Sequence, residues 1–265
     1  MDVGTSATLR ELIGGLRELG IEPRDIDYIF ISHIHIDHAG GLGEFLHLAP
    51  QAKAIVHPQG IKHLIAPQKL WEASLKALGE IALKYGPIAP CAGERLVPAE
   101  EGMEIDLGGP LVRVLFTPGH APHHLSFWEE REKALFIGEA GGVYHPEIDA
   151  PRPATPPPFD FEVMRSSLEK LSTLQARMIL YGHTGSASGE LRTLKRFEEQ
   201  LSLWIQILSC ALAQRKGEEE ILEMLFREDE EIAKLKALPY EKMNRELFFL
   251  RNSLSGFLGY LSGSR

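Results

Sequence analysis

Short apolar runs alternate with helical stripes through much of the chain, and four of these runs lead into a histidine or glutamate, side chains able to ligate a metal. Tyr28-Ile29-Phe30-Ile31-Ser32 leads into His33, and Leu111 to Phe116 leads through Thr117-Pro118-Gly119 to His120. Ala134-Leu135-Phe136-Ile137-Gly138 ends at Glu139, and Met178-Ile179-Leu180-Tyr181-Gly182 ends at His183. Continuous runs of this length predict strands buried in a layered sheet. Functional groups in such folds gather where strand carboxyl ends meet loops, so the recurrence carries more information than any one run. Glycine or proline beside three of these ends predicts a sharp turn that aims a side chain. A fifth run, Ala54-Ile55-Val56, leads to His57-Pro58 and predicts a strand-end turn with a structural histidine.

Between the strands the apolar spacing becomes helical. Leu9, Leu12, Ile13, Leu16 and Leu19 predict a helix over 8–19 that stops at Gly20. A second helix is predicted over 69–85, ending at Gly86-Pro87, and a third over 161–174. Proline excludes regular structure from 145–159, which reads as a long loop walling the substrate. From Gly189 the pattern is helical throughout, with Leu191, Leu194, Phe197, Leu201, Trp204, Ile205, Leu208, Ala211 and Leu212 recurring at helical spacing. Further helices are predicted around 221–226 and over 239–261. The chain therefore divides into an α/β domain over 1–188 and a helical extension over 189–265. The extension's apolar faces would pack on the domain, close over the site as a lid, or form a homodimer interface. The acidic runs 218–220 and 228–231 read as solvated helix faces.

The densest chemistry lies in His33-Ile34-His35-Ile36-Asp37-His38. On an extended backbone the side chains alternate, so His33, His35 and Asp37 share one side while Ile34 and Ile36 face the core. Ala39-Gly40-Gly41 then lets His38 swing toward the same point. Imidazole nitrogen and carboxylate oxygen are ligands for borderline divalent metals such as zinc.

Composition narrows the setting. Over 265 residues, 44% hydrophobic and 25% charged, the chain can bury a substantial core. A formal charge of −9 without a Lys/Arg cluster disfavours a nucleic-acid partner. Cys91 and Cys210, the two cysteines, are far apart, so a disulfide framework is not expected and a reducing cytoplasm fits. No apolar run approaches a membrane span, and a small-molecule substrate is the expected partner.

Five elements, in order, resemble the metallo-β-lactamase superfamily. Asp2-Val3-Gly4 resembles the Asp-x-Gly that closes an early strand, and His33 to His38 the His-x-His-x-Asp-His motif. Thr117-Pro118-Gly119-His120, Phe136-Ile137-Gly138-Glu139 and Tyr181-Gly182-His183 resemble the later motifs. The stretch from Arg152 to Asp160 resembles a subgroup of uncharacterised hydrolases in that superfamily. The resemblance implies a four-layer αββα sandwich and a glyoxalase-II-like ligand set holding two divalent ions, zinc foremost, with manganese or iron also accommodated. By that resemblance His33, His35 and His120 hold one ion, Asp37, His38 and His183 the other, and Glu139 bridges. Asp2 and His124 would support the ligands from behind. Asp37 would orient the nucleophile and pass a proton to the leaving group. Tyr144, His145 and Arg152 are candidates for contacting substrate.

Two departures stand out. Superfamily members usually carry Asp where this chain has Glu139, and the extra methylene moves the carboxylate by roughly 1.5 Å. Metal–oxygen distances tolerate only about 0.2 Å, so Glu139 is expected either to bridge from a retreated backbone or to serve one ion alone, with Asp149 a distant substitute. Relatives also have strands before the Asp-x-Gly, which here begins at residue 2, so the first domain is expected to lack its first strands and to leave an open sheet edge. The implied activity is attack by a hydroxide on an ester-like carbonyl, a thioester or lactone ahead of a β-lactam. Alternatives are phosphodiester cleavage, persulfide oxidation at mononuclear iron, and a metal-binding scaffold without catalysis.

Overall fold

The computed structural model describes residues 1–183, 185–188 and 191–263, so Gly189, where the helical extension is expected to begin, lies outside the described residues. The chain falls into two compact units. The first comprises Met1–Ile105, Arg113–Phe116 and His123–Phe127, and the second Asp106–Val112, Thr117–Pro122 and Trp128–Arg265.

In the first unit, β1 (Tyr28–Phe30), β2 (Lys53–Val56) and β3 (Leu96–Pro98) form a parallel sheet in that order. Ile29 pairs with Ala54, and Ala54 with Leu96. Parallel strands need crossover connections, and the helices α1 (Leu9–Glu18), α2 (Ile36–Ala39), α3 (Leu42–Leu48), α4 (Pro58–Ile65), α5 (Gln68–Leu78) and α6 (Glu80–Tyr85) lie before or between them. The core runs from Leu9 through Ile29, Ile31, Ile34, Leu42, Phe45, Val56 and Leu64 to Leu96. Each such fully buried side chain contributes about 1.5–3 kcal/mol. Arg95 ties the layer together from outside, its Nε donating to the Ala52 carbonyl at 2.8 Å. The helix predicted over 69–85 is broken in two at Gly79, whose φ of +56° no helix interior allows. His57 has the structural role expected of it, accepting the Gln59 N–H at the start of α4.

The strands β4 (Glu104–Asp106), β5 (Leu111–Phe116) and β6 (Leu125–Glu129) neighbour one another in that order. In the second unit β7 (Ala134–Gly138) pairs in parallel with β10 (Met178–Tyr181), which pairs antiparallel with β11 (Gly185–Ser188). The predicted loop over 145–159 is not wholly irregular. β8 (Val143–His145) and β9 (Ala150–Arg152) form a two-stranded ribbon within and before it, with Tyr144 opposite Pro151. A proline cannot donate to a ladder, but it is tolerated in an edge strand. Helix α7 (Phe161–Ser172) follows, its Asp160 cap accepting from Glu162 and Val163 N–H.

The helices predicted at the C-terminal end are α8 (Arg192–Ala213), α9 (Glu218–Glu228), α10 (Glu230–Lys234) and α11 (Tyr240–Leu261). Of the predicted stripe, Leu194, Phe197, Leu201, Trp204, Leu208 and Ala211 are buried, whereas Leu191 and Ile205 are half-buried and Leu212 is exposed; the Trp204 ring lies 5.2 Å from that of Phe257 on α11. One reading is corrected here. Within the run 228–231, Asp229 is not a solvated residue: it is 2% exposed, caps α10, and accepts from Trp204 Nε1 at 2.8 Å. A carboxylate this deep stays because those donors replace its lost water. Among the described residues no helix is long and apolar enough to cross a membrane.

Candidate metal centre

In the first unit the candidate ligands come from one short stretch of chain, 33–38. The alternating-strand expectation for residues 33–38 is corrected: after β1 the backbone leaves the sheet, and α2 begins at Ile36. His38 and Ala39 N–H both donate to His35 O, and Gly40 N–H to Ile36 O. Asp37 and His38 are therefore presented by a helical turn, and the close packing of that turn explains the glycine. A Cβ on Gly40 would lie 2.2 Å from Ile36 O. The His33 ring lies 4.5 Å from that of His35 and 4.0 Å from that of His38. Asp37 Oδ2 sits 3.9 Å from His38 Nε2.

Asp2 holds this turn from behind. Its carboxylate accepts from Ser32 N at 2.7 Å, from Ser32 Oγ at 2.8 Å, and contacts His38 Nδ1 at 2.8 Å. Asp2 itself adopts φ 51°, a strained value that its hydrogen bonds over-determine. Burial works against its charge, but the charge and hydrogen bond of His38, with the Ser32 N–H and the N-terminus, hold the carboxyl below its usual range. Because a carboxylate accepts, His38 Nδ1 carries the proton, and Nε2 is the nitrogen that could serve a cation. His124 is fully buried, and its ring stacks 5.2 Å from that of His33. His123 accepts the Ile34 N–H at 3.4 Å. Ser32, which contacts Asp2 and lies 3.0 Å from His33 Nδ1, was missed in the sequence; its place between a strand and the first histidine is the only local signal.

In the second unit three dispersed strand ends meet. His120 lies beyond Gly119, whose φ of +151° and distance of 2.8 Å from a built Cβ to Met164 Cβ exclude other residues. Glu139 follows β7 and His183 follows β10, where Gly182 N–H donates to Gly138 O at 3.0 Å. Glu139 is 6% exposed, with Oε2 at 3.1 Å from His120 Nε2 and Oε1 at 3.5 Å from His183 Nε2. The extra methylene thus leaves one carboxylate oxygen for each histidine. His120 Nδ1 donates to the Ala154 carbonyl at 2.8 Å, which fixes the ring with Nε2 toward Glu139.

The other candidates have partners of their own. Tyr144 Oη donates to Asp149 Oδ1 at 2.8 Å, and burial first, then Asp149, pushes its phenol up to about 12. Asp149 also receives Arg196 at 2.7 Å, and that hydrogen bond first of all holds its carboxyl down. Arg152 and His145 are buried against Glu246 of α11, with Arg152 Nε donating at 2.7 Å and His145 Nε2 at 3.3 Å from the same oxygen.

Imidazoles whose Nδ1 atoms are engaged by a carboxylate or carbonyl, beside buried acid oxygens, fit a divalent cation, and these residue types could hold one. The metallo-beta-lactamase superfamily profile matches residues 2–183, and the chain belongs to that superfamily. The metallo-beta-lactamase fold-containing protein ST1585 of Sulfurisphaera tokodaii is 33% identical over 170 residues, 63% of this chain and 63% of that protein. The N-acyl homoserine lactonase AiiA of Bacillus thuringiensis subsp. kurstaki is 28% identical over 179 residues, 65% of this chain and 61% of that one. The chain thus spans under two thirds of the length of these relatives. The solved structure of ST1585 from Sulfolobus tokodaii matches with a TM-score of 0.67 at 29% identity, covering 88% of this chain and 80% of that one. The structure of TTHA1429 from Thermus thermophilus, a metallo-beta-lactamase family protein, shares the fold at a TM-score of 0.66 and 24% identity, covering 99% and 83%. The result is an α/β fold with C-terminal helices and His/Glu clusters of a kind that could hold a divalent metal.

Proposed function

We propose that the protein is a hydrolase that opens an ester-like carbonyl, with a lactone the first candidate and a thioester the second. The observation that carries this is the buried Glu139 carboxylate offering one oxygen to each of two histidines, as a ligand shared between two cations would. In this reading, which follows the family resemblance, His33, His35 and His120 would hold one ion and Asp37, His38 and His183 a second, with Glu139 available as a further carboxylate ligand. When bound, two divalent cations polarise the carbonyl oxygen and bring the pKa of a water down toward about 7. The chain's own residues set the geometry. Asp2 keeps the proton of His38 on Nδ1, and the Ala154 carbonyl does the same for His120. Asp37, its side chain 22% exposed, can take a proton from water and return it to the departing alkoxide or thiolate. Zinc is the first metal to test; the same nitrogen and oxygen ligands also accept manganese and iron.

The lactone preference draws on relatives at low identity: besides the Bacillus protein, the N-acyl homoserine lactonase AttM of Agrobacterium fabrum is 31% identical over 116 residues. Substrate contact is assigned to no side chain of the β8–β9 ribbon, because Tyr144, His145 and Arg152 are buried with internal partners.

The test is hydrolysis of a panel of N-acyl homoserine lactones and acyl thioesters. A chelator should abolish turnover and added zinc restore it. His35→Ala should lower kcat/KM about a thousandfold, the rate equivalent of several kcal/mol of Lewis-acid stabilisation. Turnover that survives either treatment defeats the mechanism. Cleavage of bis(4-nitrophenyl) phosphate without any carboxylic ester activity transfers it to phosphodiesters.

A further inference from the structure

The Ala154 carbonyl that fixes His120 belongs to a segment gripped on both sides by the C-terminal helix α11. Ser253 Oγ donates to the Pro153 carbonyl at 2.8 Å and accepts the Thr155 N–H at 3.3 Å, so one hydroxyl clamps both neighbours of Ala154. Thr155 Oγ1 donates in return to the Ser253 carbonyl at 3.3 Å. One turn further along, Gly256 lets the two backbones touch: a Cβ there would lie 1.9 Å from Thr155 O. Arg152 braces the near end, donating to Glu246 at 2.7 Å and to the Pro153 carbonyl at 2.6 Å. Ala154, Thr155 and Ser253 are all at most 5% exposed, so no water substitutes for these bonds.

We propose that α11 is a working part of the metal site: Ser253 and Gly256 set the position of the Ala154 carbonyl and, through it, the direction in which His120 presents Nε2. They are positioning residues, two steps from the ion. The inference rests on the reading of His120 as a metal ligand. Its physical basis is that the hydrogen bond on the far nitrogen of a ligating imidazole fixes both ring orientation and basicity. A carbonyl displaced by a few tenths of an ångström weakens that bond and turns the ring.

The test titrates cobalt(II) into the metal-depleted full-length protein, reading the d–d absorption band and the affinity by competition. Thermal unfolding is followed alongside. Ser253→Ala should unfold cooperatively yet bind cobalt about tenfold more weakly, the low end of the cost of losing such support, with an altered band. Gly256→Ala should show a larger loss; if it fails to fold, Ser253→Ala still decides. Leu250→Ala, buried on the same helix one turn before Ser253 but with a side chain that can make none of the clamp's hydrogen bonds, should lose stability and keep the wild-type affinity and band. Cobalt binding by Ser253→Ala that matches wild type in strength and spectrum overturns the proposal, as does an equal loss in Leu250→Ala. Failure of the wild type to bind cobalt at all would instead remove His120 from the ligand set, and the inference with it.

Discussion

The two units present their ligands by opposite means. In the first, His33, His35, Asp37 and His38 lie within a single stretch, and covalent geometry plus one helical turn nearly suffices to gather them. In the second, His120, Glu139 and His183 are far apart in sequence and meet only because β7 and β10 pair and because α11 grips the segment that orients His120. Contiguous ligands need local support, here Asp2 and Ser32. Dispersed ligands need the tertiary structure, so their site inherits every weakness of distant packing.

The largest expected effect on stability therefore belongs to the second unit. Glu246 is buried between Arg152 and His145, and Glu246→Ala strands the guanidinium without its partner. Removing one member of a buried pair costs about 3–5 kcal/mol. Burial opposes the Glu246 charge, but His145 and Arg152 hold its carboxyl far below the usual 4.5. A carboxyl depressed on folding stabilises the protein above its unfolded pKa, and that contribution drains away as pH falls toward the folded value. Urea unfolding should show the widest gap between wild type and variant at neutral pH, narrowing progressively below pH 4.5. A gap independent of pH would mean that the pair contributes packing and no charge.

Asp2→Asn probes the first unit and should act more on the ion than on the fold. Asparagine still accepts from Ser32, so the loss is that of a charged hydrogen bond, at most about 1.5–3 kcal/mol. Without a carboxylate to hold its Nδ1–H, His38 loses its preferred tautomer, and affinity for the ion it serves should fall about tenfold. Calorimetric metal titration beside thermal unfolding separates the two. A large fall in stability at unchanged affinity would reverse the contrast between the units.

That contrast also explains what the sequence disclosed. The candidate ligand positions stand out in the sequence, because His-x-His-x-Asp-His is a local signal and His120, Glu139 and His183 each follow an apolar run. Their presentation was less legible. Alternation cannot foresee that the chain leaves the sheet before Ile36, since a single helical turn of four residues has no period to detect. The supports of the second unit were invisible for another reason. Ala154 acts through its backbone, and Ser253 through contacts about a hundred residues away. Glu246 left one trace: it falls on the buried stripe of α11 with Leu250, Ser253, Leu254 and Phe257, where an unpaired acid would not survive. Asp229 is similar, a buried cap concealed in an acidic run.

The smallest perturbation uses the two cysteines, one in each unit. Cys210 is exposed on α8, whereas Cys91 lies in the first unit's core with its N–H on Leu64 O at 2.8 Å. Burial pushes the Cys91 thiol up to about 12, so at pH 8 its thiolate is about one part in ten thousand, and access is blocked as well. Ellman's reagent should therefore titrate one thiol at once in the native wild type and the second only on unfolding. Asp2→Asn, which disturbs a ligand's support and leaves the packing around Leu64 alone, should keep that slow phase. Two immediate equivalents in the wild type would show that the first unit opens readily. The locally supported candidate ligands of the first unit would then be held no more firmly than the dispersed ones of the second.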